Sequence, residues 1–149
     1  KSQSSKKKLT EEGTFQLRPD LVFDLPGKDE PIIADTKYKI LNTKSENDFG
    51  ISQSDMYQMV TYAIRWRSHN VKLLYPSTVQ NLSYDKTKLL EFSVVDELTN
   101  DLSNILIEVF RLPIIHKNWQ SLPEEENSLE EHFAAMSSNL KNVLVEILS

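Results

Sequence analysis

Two runs of aromatic and β-branched residues face each other across a turn at the front of the chain. TFQLRPDLVFDL, residues 14–25, carries them in near alternation, LPGKDEP supplies the proline and glycine of a reversal, and PIIADTKYKIL, residues 31–41, is the second run. This is β-hairpin patterning, so the fold begins as sheet. A polar connection from Asn42 to Gly50 then leads into ISQSDMYQMVTYAIRWRS, where Met56, Met59, Val60, Ala63 and Ile64 recur at helical spacing. Ser52 followed by Asp55 has the form of a capping box and sets the start of that helix. NVKLLYPS is a short apolar run closed by Pro76, the pattern of a buried strand.

Two further strand candidates follow, KLLEFSVVD and NILIEVFRLPII, separated by the polar ELTNDLS; the second is also compatible with part helix. The closing LEEHFAAMSSNLKNVLVEILS is helical, with Leu140, Leu144 and Leu148 on one stripe that predicts packing. Hairpin, helix, strand and strands again describe an α/β chain: a mixed β-sheet flanked by helices, with a C-terminal helix. No internal repeat interrupts this order.

At 149 residues the chain is one domain's worth of sequence. Residues 1–14, with Lys6, Lys7 and Lys8 in a serine-rich stretch, read as a flexible polar linker, and residues 15–149 as the folded domain. The first residue is Lys1 rather than Met, which predicts the C-terminal part of a longer protein. With no cysteine, disulfides, thiolate zinc sites and a cysteine nucleophile are excluded. Only 3 glycines are present, with no phosphate-cradling loop and no GxSxG elbow, so nucleotide hydrolysis and serine-hydrolase chemistry are disfavoured. No stretch approaches the roughly 18 apolar residues of a membrane helix, and the N-terminus has no signal-peptide core, so a soluble, cytoplasmic protein without membrane contact is expected.

The net charge of -5 is unevenly placed. Residues 1–75 hold 12 Lys/Arg against 10 Asp/Glu, whereas the remainder holds 5 against 12. An anionic partner therefore fits the front half, yet the molecule as a whole steers weakly toward nucleic acid. If the chain works on DNA, it needs a cation or a partner subunit.

The hairpin contains the constellation with chemistry in it. If residues paired across the turn sum to 55, Phe23 faces Ile32, Val22 faces Ile33, Leu21 faces Ala34, and Asp20 faces Asp35. Directly opposed residues share a face with Cβ atoms ~5 Å apart, so two carboxylates sit side by side. Alternation puts Lys37 on that face and Thr36 and Tyr38 on the other. Like charges opposed in a sheet are destabilising, and a divalent cation is the natural reason to keep them. A lysine beside such a cation can orient water and counter charge on a phosphate, which is the equipment of phosphodiester hydrolysis. The competing reading makes Asp20 an ordinary strand start and Asp35 and Lys37 exposed polar residues. His69, His116 and His132 are too scattered for a local zinc site, and Glu124, Glu125 and Glu126 read as a solvated loop.

LRPDLVF, then IIADTKYK, then SQSDMYQMVTYA together resemble the PD-(D/E)xK nuclease superfamily, most closely the nuclease region of the McrC component of 5-methylcytosine restriction systems. Pro19-Asp20, Asp35-Thr36-Lys37 and the QxxxY element Gln58 to Tyr62 carry the likeness, over residues 15 to 80. The resemblance implies a restriction-endonuclease-like fold and a Mg²⁺- or Mn²⁺-dependent endonuclease in antiviral defence. Asp20, Asp35 and the Thr36 carbonyl would hold the metal, Lys37 would position the attacking water, and Gln58 and Tyr62 would lie against the active centre. The implied partners are DNA, methylated, and a McrB-like AAA+ GTPase that finds the site and translocates. The segment that engages the motor lies upstream in that family, and the helix that precedes the PD strand in many members is not evident here. Alternatives are a motor-independent repair nuclease with the same centre and a non-catalytic interaction domain on the same scaffold.

Overall fold

Pro19 divides the first hairpin run. Having no N–H to give a ladder, it separates a two-residue strand, Gln16–Leu17 (β2), from Leu21–Phe23 (β3), and it is itself fully buried. The computed structural model describes residues 6–41, 50–77, 87–95, 97, 104–114 and 127–148. The remaining described elements are Lys7–Lys8 (β1), Ile32–Thr36 (β4), Gln53–Trp66 (α1), Asn70–Pro76 (β5), Lys88–Val95 (β6), Asn104–Leu112 (β7) and Asn127–Leu148 (α2). His116, the acidic run Glu124 to Glu126 and residues 42–49 of the polar connection lie outside the described residues.

β3 and β4 pair antiparallel with Leu21 opposite Ala34, Val22 opposite Ile33 and Phe23 opposite Ile32, the register expected of the hairpin. The five-stranded sheet has the order β3-β4-β5-β7-β6. β5 runs parallel to β4 and to β7, and β6 pairs antiparallel with β7 at the far edge. This is a mixed sheet, as the α/β pattern predicts, and α1 is the crossover that two adjacent parallel strands require. β7 is strand throughout Asn104–Leu112, since ladders on both sides leave no part of it to coil as helix.

Each strand face meets one helix. Ile33, Val71, Leu73, Tyr75, Ile105, Ile107 and Val109 join Met59, Tyr62, Ala63 and Trp66 of α1 in one cluster. Ala34, Leu74 and Phe110 meet Val143 and Ile147 of α2 in the other. The helices show their contact faces slightly rotated from the sequence stripes. On α1 the seam runs through Met59, Tyr62, Ala63 and Trp66, while Ile64 is exposed. On α2 Val143 and Ile147 go deepest, and Leu140, Leu144 and Leu148 flank them half-buried. Aromatic bulk at Tyr62 and Trp66, ring to ring at 5.8 Å and 81°, fills the space above the sheet and sets that rotation.

Lys7 closes the C-terminal end of α1: its ammonium donates to the Arg65 carbonyl at 2.8 Å and lies 4.9 Å from the centre of the Trp66 ring. One of three lysines in the basic run is thus committed to the helix end. His69 pairs with Glu30 at 2.7 Å and His132 is buried on α2, so these two histidines belong to different elements. No helix among the described residues is long and apolar enough to cross a membrane.

Leu73 lies in the central strand with no exposed surface. Leu73→Ala should cost about 2–5 kcal/mol in a denaturant melt; a loss below ~1 kcal/mol would mean that β5 is not the buried centre of the sheet.

Candidate active site at the end of the hairpin ladder

Carried one step beyond Leu21 and Ala34, the same register sets Asp20 opposite Asp35 at the carboxyl end of β4. Asp35 is buried at 4% exposure because β4 is covered by α1 and flanked by two strands, whereas Asp20 precedes β3 and is exposed. Free of the pleat, Asp20 turns its carboxylate over the end of the ladder. Its Oδ2 accepts from the Thr36 N–H at 2.8 Å and the Thr36 hydroxyl at 2.5 Å. Alternation had put Thr36 on the opposite face, away from both aspartates. Past the end of the β3–β4 pairs, Asp20 is the acceptor that the Thr36 N–H and hydroxyl find.

Lys37 follows β4, its backbone N–H donating to the Leu74 carbonyl at 2.9 Å. Its ammonium reaches Asp35 Oδ2 at 2.6 Å and donates to Gln58 Oε1 at 2.5 Å. An ammonium can only donate, so the Gln58 amide has its oxygen toward Lys37 and its nitrogen toward Tyr62. That nitrogen donates to the Tyr62 hydroxyl at 2.7 Å, and the hydroxyl donates to the Arg18 carbonyl at 3.1 Å. A directed chain of hydrogen bonds thus runs from Lys37 through α1 back to the residue before Pro19. Gln58 and Tyr62 share a helix face because they are four apart. Tyr62 packs and hydrogen-bonds at once.

Asp55, in the first turn of α1, was legible only as a capping residue. Ser52 does cap the helix, its hydroxyl accepting from the Asp55 N–H at 3.2 Å. The Asp55 carboxylate, however, turns to the site: Oδ2 meets Lys39 at 2.5 Å and accepts from the Tyr75 hydroxyl at 3.4 Å, and Oδ1 lies 3.8 Å from Lys37. The available signal was its place three residues before Gln58 and seven before Tyr62, on one face. Lys39 and Tyr75 had no signal, since their contacts join different elements.

Burial pushes the Asp35 carboxyl above its ordinary value; Lys37 opposes this by hydrogen bond and charge, and the charge of Asp20 adds to the rise. Asp55 goes the other way. Burial alone would raise it, but hydrogen bonds from Lys39 and Ser52 and the charges of Lys39 and Lys37 outweigh that and hold it low. Burial, then the Asp35 charge, keeps the Tyr62 phenol protonated.

The profile of the McrBC 5-methylcytosine restriction system component family matches residues 1–76, which include every residue of this network. The chain belongs to that family. Its fold is also that of a solved structure, a refined half-complex from the tetradecameric assembly of Thermococcus gammatolerans McrB AAA+ hexamers with bound McrC. The likeness has a TM-score of 0.57 at 15% identity and covers 97% of this chain. It covers 27% of the neighbour, so the McrBC-family chain described here spans about a quarter of that protein's length. No curated protein matches it.

As to a metal, the donor set of this McrBC-family chain is hard oxygen. Among the described residues no group of three or more His, Cys, Asp and Glu is placed to hold an ion. A cation held by Asp20 and Asp35 would complete its shell from carbonyl, water and substrate oxygen, which suits Mg²⁺ or Mn²⁺ and disfavours Zn²⁺. By donor chemistry, two carboxylates and a backbone carbonyl, the residues fit such a hard ion.

The raised carboxyl of Asp35 makes a signed prediction. A group whose folded pKa lies above its unfolded one stabilises the fold in acid and loses that contribution as pH rises through the folded value. Metal-free Asp35→Asn, neutral at every pH, should therefore melt above wild type at about pH 7, and the gain should vanish as pH falls through the Asp35 titration. A lower melting temperature for the variant at neutral pH would mean that the Lys37 contact outweighs burial.

Proposed function

We propose that this chain is the nuclease part of a modification-dependent restriction system, hydrolysing DNA phosphodiester bonds with Mg²⁺ or Mn²⁺. The observation that carries the reading is Lys37. Its ammonium is fixed between the Asp35 carboxylate at 2.6 Å and the Gln58 amide at 2.5 Å, and the β3–β4 register carried one step past Leu21 and Ala34 sets Asp20 across from Asp35. Lysines on a sheet edge are usually solvated, and holding this one in place takes residues from a strand and a helix.

Asp20, Asp35 and the Thr36 carbonyl are the residues that would hold the cation. When bound, it would supply positive charge to the scissile phosphate and make hydroxide available near neutral pH. Lys37 orients the attacking water by hydrogen bond and offsets the charge that develops on the phosphate oxygens. Gln58 and Tyr62 keep the ammonium from swinging out, and the helix packed on Asp35 limits bulk water on that side. The attacking water gives a proton to solvent as its oxygen bonds to phosphorus, the bond from phosphorus to the ester oxygen breaks, and the leaving oxygen takes a proton from solvent.

The partner follows from charge. At a net -5 the chain as a whole steers only weakly toward DNA, which favours delivery by another subunit. The structural neighbour comes from an assembly of McrB AAA+ hexamers with bound McrC, which supports a McrB-like AAA+ subunit, a GTPase in this reading, and the family's description as a 5-methylcytosine restriction component supports methylated DNA as the substrate.

In the full-length protein with its motor, Lys37→Ala should cut cleavage by about 100-fold or more, the scale of lost proton-transfer and positioning help. Mn²⁺ should raise the melting temperature of both wild type and Lys37→Ala, since a ligand of the native state stabilises it by mass action, and should not raise that of Asp35→Asn. Unchanged cleavage by Lys37→Ala overturns the mechanism. Vigorous cutting without the motor favours the repair-nuclease alternative, and a wild-type complex that never cuts favours the interaction domain.

A further inference from the structure

One carboxylate of the network has no part in holding the metal or in the steps above. Asp55 is 7% exposed, and its carboxylate faces the ammonium groups of Lys39 and Lys37 and the Tyr75 hydroxyl. Its Oδ2 is engaged by Lys39 at 2.5 Å and by the Tyr75 hydroxyl at 3.4 Å, and its backbone N–H is fixed on Ser52. With one oxygen and the backbone pinned, Oδ1 is left directed at Lys37, 3.8 Å away.

We infer that Asp55 is the positioning residue that keeps the Lys37 ammonium in the active centre once Asp35 has turned its charge to a cation; the inference rests on the nuclease reading above. An ammonium has three protons to place. Here three acceptors surround it: Asp35, Gln58 and, more distantly, Asp55. A divalent ion on Asp35 competes for the negative charge that Lys37 now uses and repels the ammonium itself. Gln58 is neutral and accepts a hydrogen bond without offering a counter-charge. Asp55 is the remaining opposite charge among the described neighbours, buried where screening by water is weak. At 3.8 Å its pull is electrostatic and closes to a hydrogen bond if the ammonium moves about 1 Å toward it.

A merely structural role would use the same residue differently. An acid in the first turn of a helix favours the positive end of the helix dipole, and that benefit is local to α1. The two roles separate in the following test. In the full-length protein with its motor, Asp55→Asn should lower kcat by at least about tenfold, the effect of removing one interaction with a charged group. KM for DNA and the Mn²⁺-induced rise in melting temperature should stay as in wild type. Asp55→Glu should recover part of the rate by restoring charge. Independently of activity, lysine-¹⁵N-labelled chain with Mg²⁺ should show a slowly exchanging ammonium signal that Lys37→Ala removes, and Asp55→Asn should remove it too.

An Asp55→Asn protein that cleaves at the wild-type rate, or that keeps the Lys37 ammonium signal, overturns the inference. So does a variant that loses stability and rate together with no recovery in Asp55→Glu, for that is the structural role. A wild-type complex that does not cut sinks the nuclease reading instead, and the ammonium signal then still decides for or against Asp55.

Discussion

Two aspartates brought together by an antiparallel register are the constraint around which the site is built. Each β3–β4 pair is a favourable apolar contact, Val22 on Ile33 and Phe23 on Ile32, and extending that ladder by one step opposes Asp20 and Asp35. The repulsion cannot be relieved by a shift of register, because a slip of one residue would turn Ile33 away from α1 and Ala34 away from α2. The fold therefore holds the pair in place and compensates it locally. Thr36 donates twice to Asp20, Lys37 pairs with Asp35, and α1 supplies Gln58 to hold Lys37.

This arrangement explains why the centre lies where it does. Parallel strands β4 and β5 with a crossover helix place the start of α1 over the carboxyl end of β4, the usual position for chemistry in an α/β sheet. Asp55, Gln58 and Tyr62 then come to the site from one helix face, while Met59, Ala63 and Trp66 hold that helix to the sheet. Core and site share one element, so a loosened α1 would lose both. The opposite face of the sheet is closed by α2 through Val143 and Ile147, and Lys72 and Glu108 form a buried ion pair there that takes no part in the site.

Much of this was legible because the signals were local. A turn of fixed position dictates a register, so the pairing of Leu21, Val22 and Phe23 could be counted from residue numbers alone. Gln58 was carried by the family resemblance, and its partner in the structure is Lys37. What could not be read depends on distance in sequence or on shape. Asp55 satisfies a cap and a site at once, and the cap is the local half of its role. Lys39 and Tyr75 reach Asp55 from other elements. The α1 face is turned by aromatic bulk at Tyr62 and Trp66, the α2 face closes on Val143 and Ile147 beside the leucine stripe, and Asp20 accepts from Thr36, a contact that pleat alternation alone does not contain.

The central claim is that the opposed aspartates exist to hold a divalent cation beside Lys37. The most direct measurement is anomalous diffraction at the manganese edge from crystals of the protein grown with Mn²⁺. The account predicts one strong peak bonded to the carboxylates of Asp20 and Asp35, with the Lys37 ammonium on the same face. A peak elsewhere, or carboxylates that stay bound to Thr36 and Lys37 with no peak between them, would contradict it.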